Sequence, residues 1–178
     1  MRQHYPYADL GLCNLVTLGR LLLTSALLAP LTAPGAVWGI VAVASIALTL
    51  DGIDGWLARR EARESAFGAR FDMEVDTALG MILALNAWAA GIAGPLVLLL
   101  GLPRYLFALA AWLWPWLDRP LPDRYGRKVV CVAQIAALIA LQLPALSGAA
   151  GMAIVTVTLV ALGWSFGRDV LWLYRNRS

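Results

Sequence analysis

Long apolar runs separated by short polar clusters dominate the chain. Asn14 to Pro30 is the first run, with the charged Arg20 inside it. "APLTAPG" makes a turn. Ala36 to Leu50 is the second run and continues as a helix into the Asp51 region. Arg59–Ser65, "RREARES", reads as a solvent-facing connection. The pattern predicts a third helix from about Ala69 to Gly91, with its first turns outside the hydrocarbon. Pro95 and Pro103 break the next stretch, which holds a fourth helix reaching Trp116. Leu117–Lys128 is the longest polar loop. Val129–Leu143 predicts a fifth helix and Met152–Trp172, after "PALSG", a sixth. A bilayer-spanning helix needs about 20 mostly apolar residues. The expected fold is an all-α integral membrane protein with about six transmembrane helices. Met1–Leu12 forms a short N-terminal interfacial arm. With no internal repeat, residues 1–178 read as a single transmembrane domain.

Composition strengthens the membrane reading. Of 178 residues, 61% are hydrophobic and only 14% charged, and the mean hydropathy is +0.72. A soluble domain of this size could not bury so much apolar surface. The eight tryptophans suit the membrane–water boundary. The net charge of +3 reflects loops held on the cytoplasmic side and contact with anionic lipid. No basic segment is interleaved with aromatics, so nucleic acid is not expected as a partner. The N-terminus lacks a strong positive region, and Asp9, Asn14 and Arg20 interrupt its apolar stretch, unlike a cleaved signal peptide. Cys13, Cys131 and His4 make no zinc signature.

Six spans place both termini on one side, together with Arg59–Arg63, Arg119–Lys128, Arg175 and Arg177. "LTAPG" and "LPALSG", on the opposite side, carry no charge. The basic side is therefore the cytoplasmic face of a multi-pass protein in the cell's inner membrane. Arg104, near the third outer connection, dissents.

The chemistry concentrates between Asp51 and Asp76. Asp51 and Asp54 are three apart on the end of the second helix, and Asp72 and Asp76 four apart at the start of the third. Each pair shares a helix face. A lone aspartate at a helix end is usually a cap or a solvated group. Four carboxylates gathered beside a bilayer repel one another unless cations neutralise them. Two divalent ions account for the arrangement, and hard oxygen ligands suit Mg²⁺ or Mn²⁺. Gly52 and Gly55 remove side chains beside the first pair, either for close approach of a phosphate or for tight helix packing. Ala58 continues the small face, and Arg59 carries a fork of donors suited to phosphate. Gly68 is expected in the turn before the third helix, as a turn glycine or as room for a nucleotide.

The pattern D-x-x-D-G-x-x-A-R-x(8)-G-x-x-x-D-x-x-x-D runs through Asp51, Asp54, Gly55, Ala58, Arg59, Gly68, Asp72 and Asp76 without a missing position. It resembles the signature of the CDP-alcohol phosphatidyltransferase family. "NLVTLGR" (Asn14–Arg20) resembles that family's N-terminal N-x-x-T-x-x-R segment, and "GRKVVCVAQ" loosely resembles its G-K-x-K-T-x-x-Q stretch. Lys128 keeps a basic position there, but Val130 and Cys131 replace the lysine and threonine of many members.

The resemblance implies a homodimer with a cytoplasm-facing cavity that binds CDP-diacylglycerol and two metal ions. It implies Asp51, Asp54 and Asp72 as metal ligands, Asp76 as ligand and catalytic base, and Gly55, Ala58, Arg59 and Gly68 along the nucleotide. The implied reaction transfers a phosphatidyl group to an alcohol with release of CMP. Glycerol 3-phosphate is the leading acceptor, with phosphatidylinositol-phosphate or cardiolipin synthase-type transfer as alternatives. Arg127, Lys128 and Arg168 are the candidates for holding a phosphate-bearing acceptor. The first two open a helix, where the dipole disfavours positive charge. Arg119 and Arg124 read first as loop charges. Arg20 either faces the cavity or snorkels. A small cation transporter would also carry membrane carboxylates, but these gather at one edge and form no path.

Overall fold

The computed structural model describes residues 12–32, 37–61, 66–118 and 125–176, with residues 12, 13, 54–61, 66 and 118 as backbone only. The described residues are all helix and turn. The order is α1 (Leu12–Ala26), α2 (Ala29–Thr32), α3 (Val37–Glu61), α4 (Ala66–Ala89), a 3₁₀ turn at Pro95–Val97, α5 (Leu98–Gly101), α6 (Pro103–Leu113), a 3₁₀ turn at Pro115–Asp118, α7 (Tyr125–Ala140), a 3₁₀ turn at Pro144–Leu146 and α8 (Ala149–Arg175). The expected arm at Met1–Leu12 lies outside the described residues except for the Leu12 backbone, as does most of the Arg59–Ser65 connection.

Asn14–Thr32 and Ala149–Arg175 are long and apolar enough to cross a bilayer. Pro95–Gly101 and Pro103–Leu113, bent by 65°, make a third span if taken together. By length and apolarity this reaches two or three of the expected six. Val37–Ile53 is apolar but shorter, and α4 carries Arg70, Asp72, Glu74 and Asp76 in its first half.

Proline sets the breaks. The first run is not one helix: α1 stops at Ala26, and Pro30 sits in α2. A proline there cannot donate to the carbonyl one turn back and its ring crowds it. Asn86 of α4 bridges the break, its Nδ2 donating to the Leu27 carbonyl at 2.9 Å. Pro103 marks the 65° bend between α5 and α6, where Gln134 of α7 donates to the Leu100 carbonyl. α4 ends where Gly91 turns at φ 67. Gly91 donates to Trp88 at 3.0 Å and Ile92 to Ala87 at 3.1 Å, a glycine-terminated closure of the last carbonyls.

α4 lies at the centre. Leu79, Leu83, Ala84 and Ala87 are buried on it, against Ala44 and Ala47 of α3, Leu100 of α5, and Ile135 and Leu138 of α7. Small residues let helices approach, as lipid-embedded helices require. At Gly101 an added Cβ would stand 2.9 Å from the Met81 Cα. The outer surface is apolar: Trp38, Trp112, Val160 and Trp164 are among its most exposed residues. This suits contact with lipid chains.

α4 and α7 run side by side in the same direction. Gly80 faces Gln134 and Ile135, and further along the Leu83 carbonyl accepts from Gln142 at 3.0 Å. α8 runs back beside α7, with Gly151 near Leu141 and Asp169 near Arg127. The start of α4, the start of α7 and the end of α8 therefore share one end of the molecule.

Candidate metal centre

α3 reaches this end with Asp51, and α4 leaves it with Asp72 and Asp76. One carboxylate oxygen from each of the three lies within 4.8 Å of the others. The donor set is oxygen only, which fits a hard divalent cation such as Mg²⁺ or Mn²⁺. The expected pairing of two aspartates from each helix is thus described for three of the four. α3 continues helically through Asp54, Gly55, Ala58 and Arg59, but their side chains lie outside the described residues.

Arg20 closes the cluster from α1. It is fully buried. Its Nη1 stands 3.1 Å from Asp51 Oδ1 and also pairs with Asp72, while Nη2 pairs with Asp76. Its Nε donates to the Ala47 carbonyl at 3.2 Å. The three carboxylates are half-buried, their side chains 24%, 36% and 42% exposed in chain order. A buried guanidinium is tolerated only when its donors are paired, and here it turns inward and does not snorkel. The sequence carried a readable sign of this. Asn14, Thr17, Arg20 and Thr24 are all buried, and their spacing of three and four puts them on one helix face. A polar face on an otherwise apolar helix points into a bundle, away from lipid.

One glycine sits differently from expectation. Gly68 lies within the first turn of α4, not in a turn before it, because the helix begins at Ala66. Among the described residues, a Cβ added at Gly52 would meet nothing within 4 Å. No described helix packs against it there.

The basic candidates form a second group. α7 begins at Tyr125 rather than Val129, so Arg127 and Lys128 lie in its first turn. Arg127 stands 3.5 Å from Asp169 of α8, whose side chain is only 5% exposed. Arg168 does not pair with its neighbour Asp169. Its guanidinium lies against Gly126, where an added Cβ would be 3.4 Å away. Lys128 is exposed. Arg119 and Arg124 lie outside the described residues. Arg104, assigned by the sequence to the outer side, instead pairs with Glu74 between Asp72 and Asp76. Arg104, at the start of α6, therefore reaches the aspartate half of α4.

No solved structure matches the chain. A protein-family model described as CDP-alcohol phosphatidyltransferase matches residues 10–165. That span takes in Arg20, the whole aspartate signature and the first turn of α7. The chain belongs to the CDP-alcohol phosphatidyltransferase family.

Proposed function

We propose that this protein transfers a phosphatidyl group from CDP-diacylglycerol to the hydroxyl of glycerol 3-phosphate, releasing CMP. The observation that carries the reading is the convergence of Asp51, Asp72 and Asp76 within 4.8 Å at one end of a helical bundle of this family. The acceptor is inferred from the neighbouring group of Arg127, Lys128 and Arg168, whose charge suits an acceptor that itself bears phosphate.

Asp51, Asp54, Asp72 and Asp76 would hold two divalent ions. Bound Mg²⁺ or Mn²⁺ would neutralise the phosphate oxygens and the departing CMP. Asp76 takes the proton of the acceptor hydroxyl at a carboxylate oxygen. The acceptor oxygen then bonds to the lipid-side phosphorus, and the bond to CMP breaks with its electron pair on CMP. Gly55, Ala58, Arg59 and Gly68 line the nucleotide. Arg127, Lys128 and Arg168 orient the acceptor's phosphate.

The membrane setting serves the donor. Its acyl chains stay among lipid-facing helices while the diphosphate reaches the carboxylates. We place the site on the cytoplasmic side of the inner membrane, in a six-span, single-domain chain that works as a homodimer.

The test is a purified-protein assay with CDP-diacylglycerol and Mg²⁺ or Mn²⁺. Acceptors are supplied singly, beginning with glycerol 3-phosphate. CMP and lipid product are followed by mass spectrometry, with Asp76→Asn as control. Metal-dependent CMP with phosphatidylglycerophosphate, lost in the control, is the expected result. CMP and product only with another alcohol would replace the acceptor, and no CMP with any acceptor would sink the transferase reading.

A further inference from the structure

A buried cation inside a proposed metal site needs a reason. Arg20 could simply neutralise the aspartates. It would then compete with a divalent ion, and its removal would tighten metal binding. Alternatively it orients them, and its removal would let like charges spread and weaken metal binding. The two roles predict opposite signs.

The geometry favours orientation. Arg20 Nε is tied to the Ala47 carbonyl, one turn before Asp51 on α3. That anchor keeps the guanidinium from following any one carboxylate away. Nη1 and Nη2 then reach carboxylates on both α3 and α4. A planar fork of donors can make such a bridge, whereas an ammonium is a single point charge. All three pairs run to Oδ1.

We infer that Arg20 is a positioning residue of this site: a resident cation on α1 that holds Asp51, Asp72 and Asp76 in the arrangement that receives a divalent ion. The inference rests on the proposed metal-dependent reading, and its test does not use turnover.

The experiment measures Mn²⁺ binding to the full chain in detergent, without CDP-diacylglycerol. Free Mn²⁺ is read by its paramagnetic resonance signal, and melting temperature is recorded with and without Mn²⁺. Loss of a group that orients metal ligands weakens metal affinity roughly 10–100-fold. Arg20→Met is expected in that range even though it leaves the site more negative. Arg20→Lys keeps the charge without the fork and is expected to weaken binding by a smaller factor. In both, the Mn²⁺-induced rise in melting temperature shrinks. Unchanged or tighter Mn²⁺ binding in either variant overturns the inference. So does a lower metal-free melting temperature with the Mn²⁺-induced rise intact, the sign of a purely structural role. If Arg20→Met does not fold, Arg20→Lys decides by the same criterion. A wild-type chain that binds no Mn²⁺ overturns the inference as well. One that binds Mn²⁺ but releases no CMP sinks the transferase reading and leaves Arg20's role standing.

Discussion

The two polar groups at the aspartate end of the molecule are built with opposite signs. Around α1, α3 and α4, one buried cation, Arg20, faces three half-buried carboxylates. Between α7 and α8, one buried anion, Asp169, is held by the part-exposed Arg127, with Arg168 and Lys128 nearby. In each, the buried charge is the minority and fixes the lining, while the surplus charge lies toward the open side. The first group is short of positive charge and the second of negative. The proposed reaction, with metal ions at one substrate and a phosphate-bearing acceptor at the other, would use this pairing of opposite deficits.

The largest effect should come from Asp76→Asn, which removes both a carboxylate and the proposed base. Loss of general-base catalysis costs roughly 10²–10⁴-fold. CMP release should fall by at least that much, with little change in the melting temperature of the metal-free protein. Near-wild-type turnover would place the base elsewhere and leave the acidic group a purely electrostatic role.

The second group is tested by the order in which its pair is broken. Arg127→Met leaves Asp169 buried without its cation, and breaking a buried pair in this way costs about 3–5 kcal/mol. Asp169→Asn leaves behind an arginine that is 28% exposed and can turn to water, so about 1–2 kcal/mol is expected. Chemical denaturation in detergent reads both. Equal losses would mean that Asp169 is not the element fixing the lining. Arg127→Met with Asp169→Leu should recover most of the loss, since a buried ion pair is often replaceable by apolar residues.

The two groups differ in how far the sequence announced them. The aspartates stand at spacings of three and four on two helices, a local pattern that needs no knowledge of the partners. Arg20 does not announce its partners: Ala47, Asp51, Asp72 and Asp76 are distant in sequence and meet it only once α1 packs on α3 and α4. Asp169 is likewise one charge beside another until α8 returns along α7 and gives it to Arg127 instead of Arg168. Helices were legible as apolar runs, but their breaks were only half so. Pro30 splits the first run, and α5, returning along α4, brings Arg104 to Glu74 on the aspartate side. That return depends on packing that spacing does not show, here Gly101 against Met81 and Ala84.

Lys128→Met separates acceptor binding from lining. The side chain is exposed, so stability should hold. A hydrogen bond to a charged group is worth roughly 1.5–3 kcal/mol, so KM for glycerol 3-phosphate should rise about tenfold or more while KM for CDP-diacylglycerol stays unchanged. Steady-state kinetics with each substrate varied in turn reads this. A rise for both substrates would merge the two groups into one site.

The smallest effect is expected at Arg104 and Glu74. They pair across α6 and α4 as directly as Arg20 pairs with Asp76, yet their side chains are 35% and 56% exposed. Exposed ion pairs contribute about 0–1 kcal/mol, because water screens the attraction and ordering two long side chains opposes it. Arg104→Gln should therefore shift denaturation by no more than about 1 kcal/mol and leave Mn²⁺ binding unchanged. Close contact between opposite charges is common to both pairs, so burial alone would separate them. A large loss of Mn²⁺ affinity in Arg104→Gln would mean that the α6 bend reaches the metal site through Glu74, and that the negative group extends beyond the three aspartates Arg20 holds.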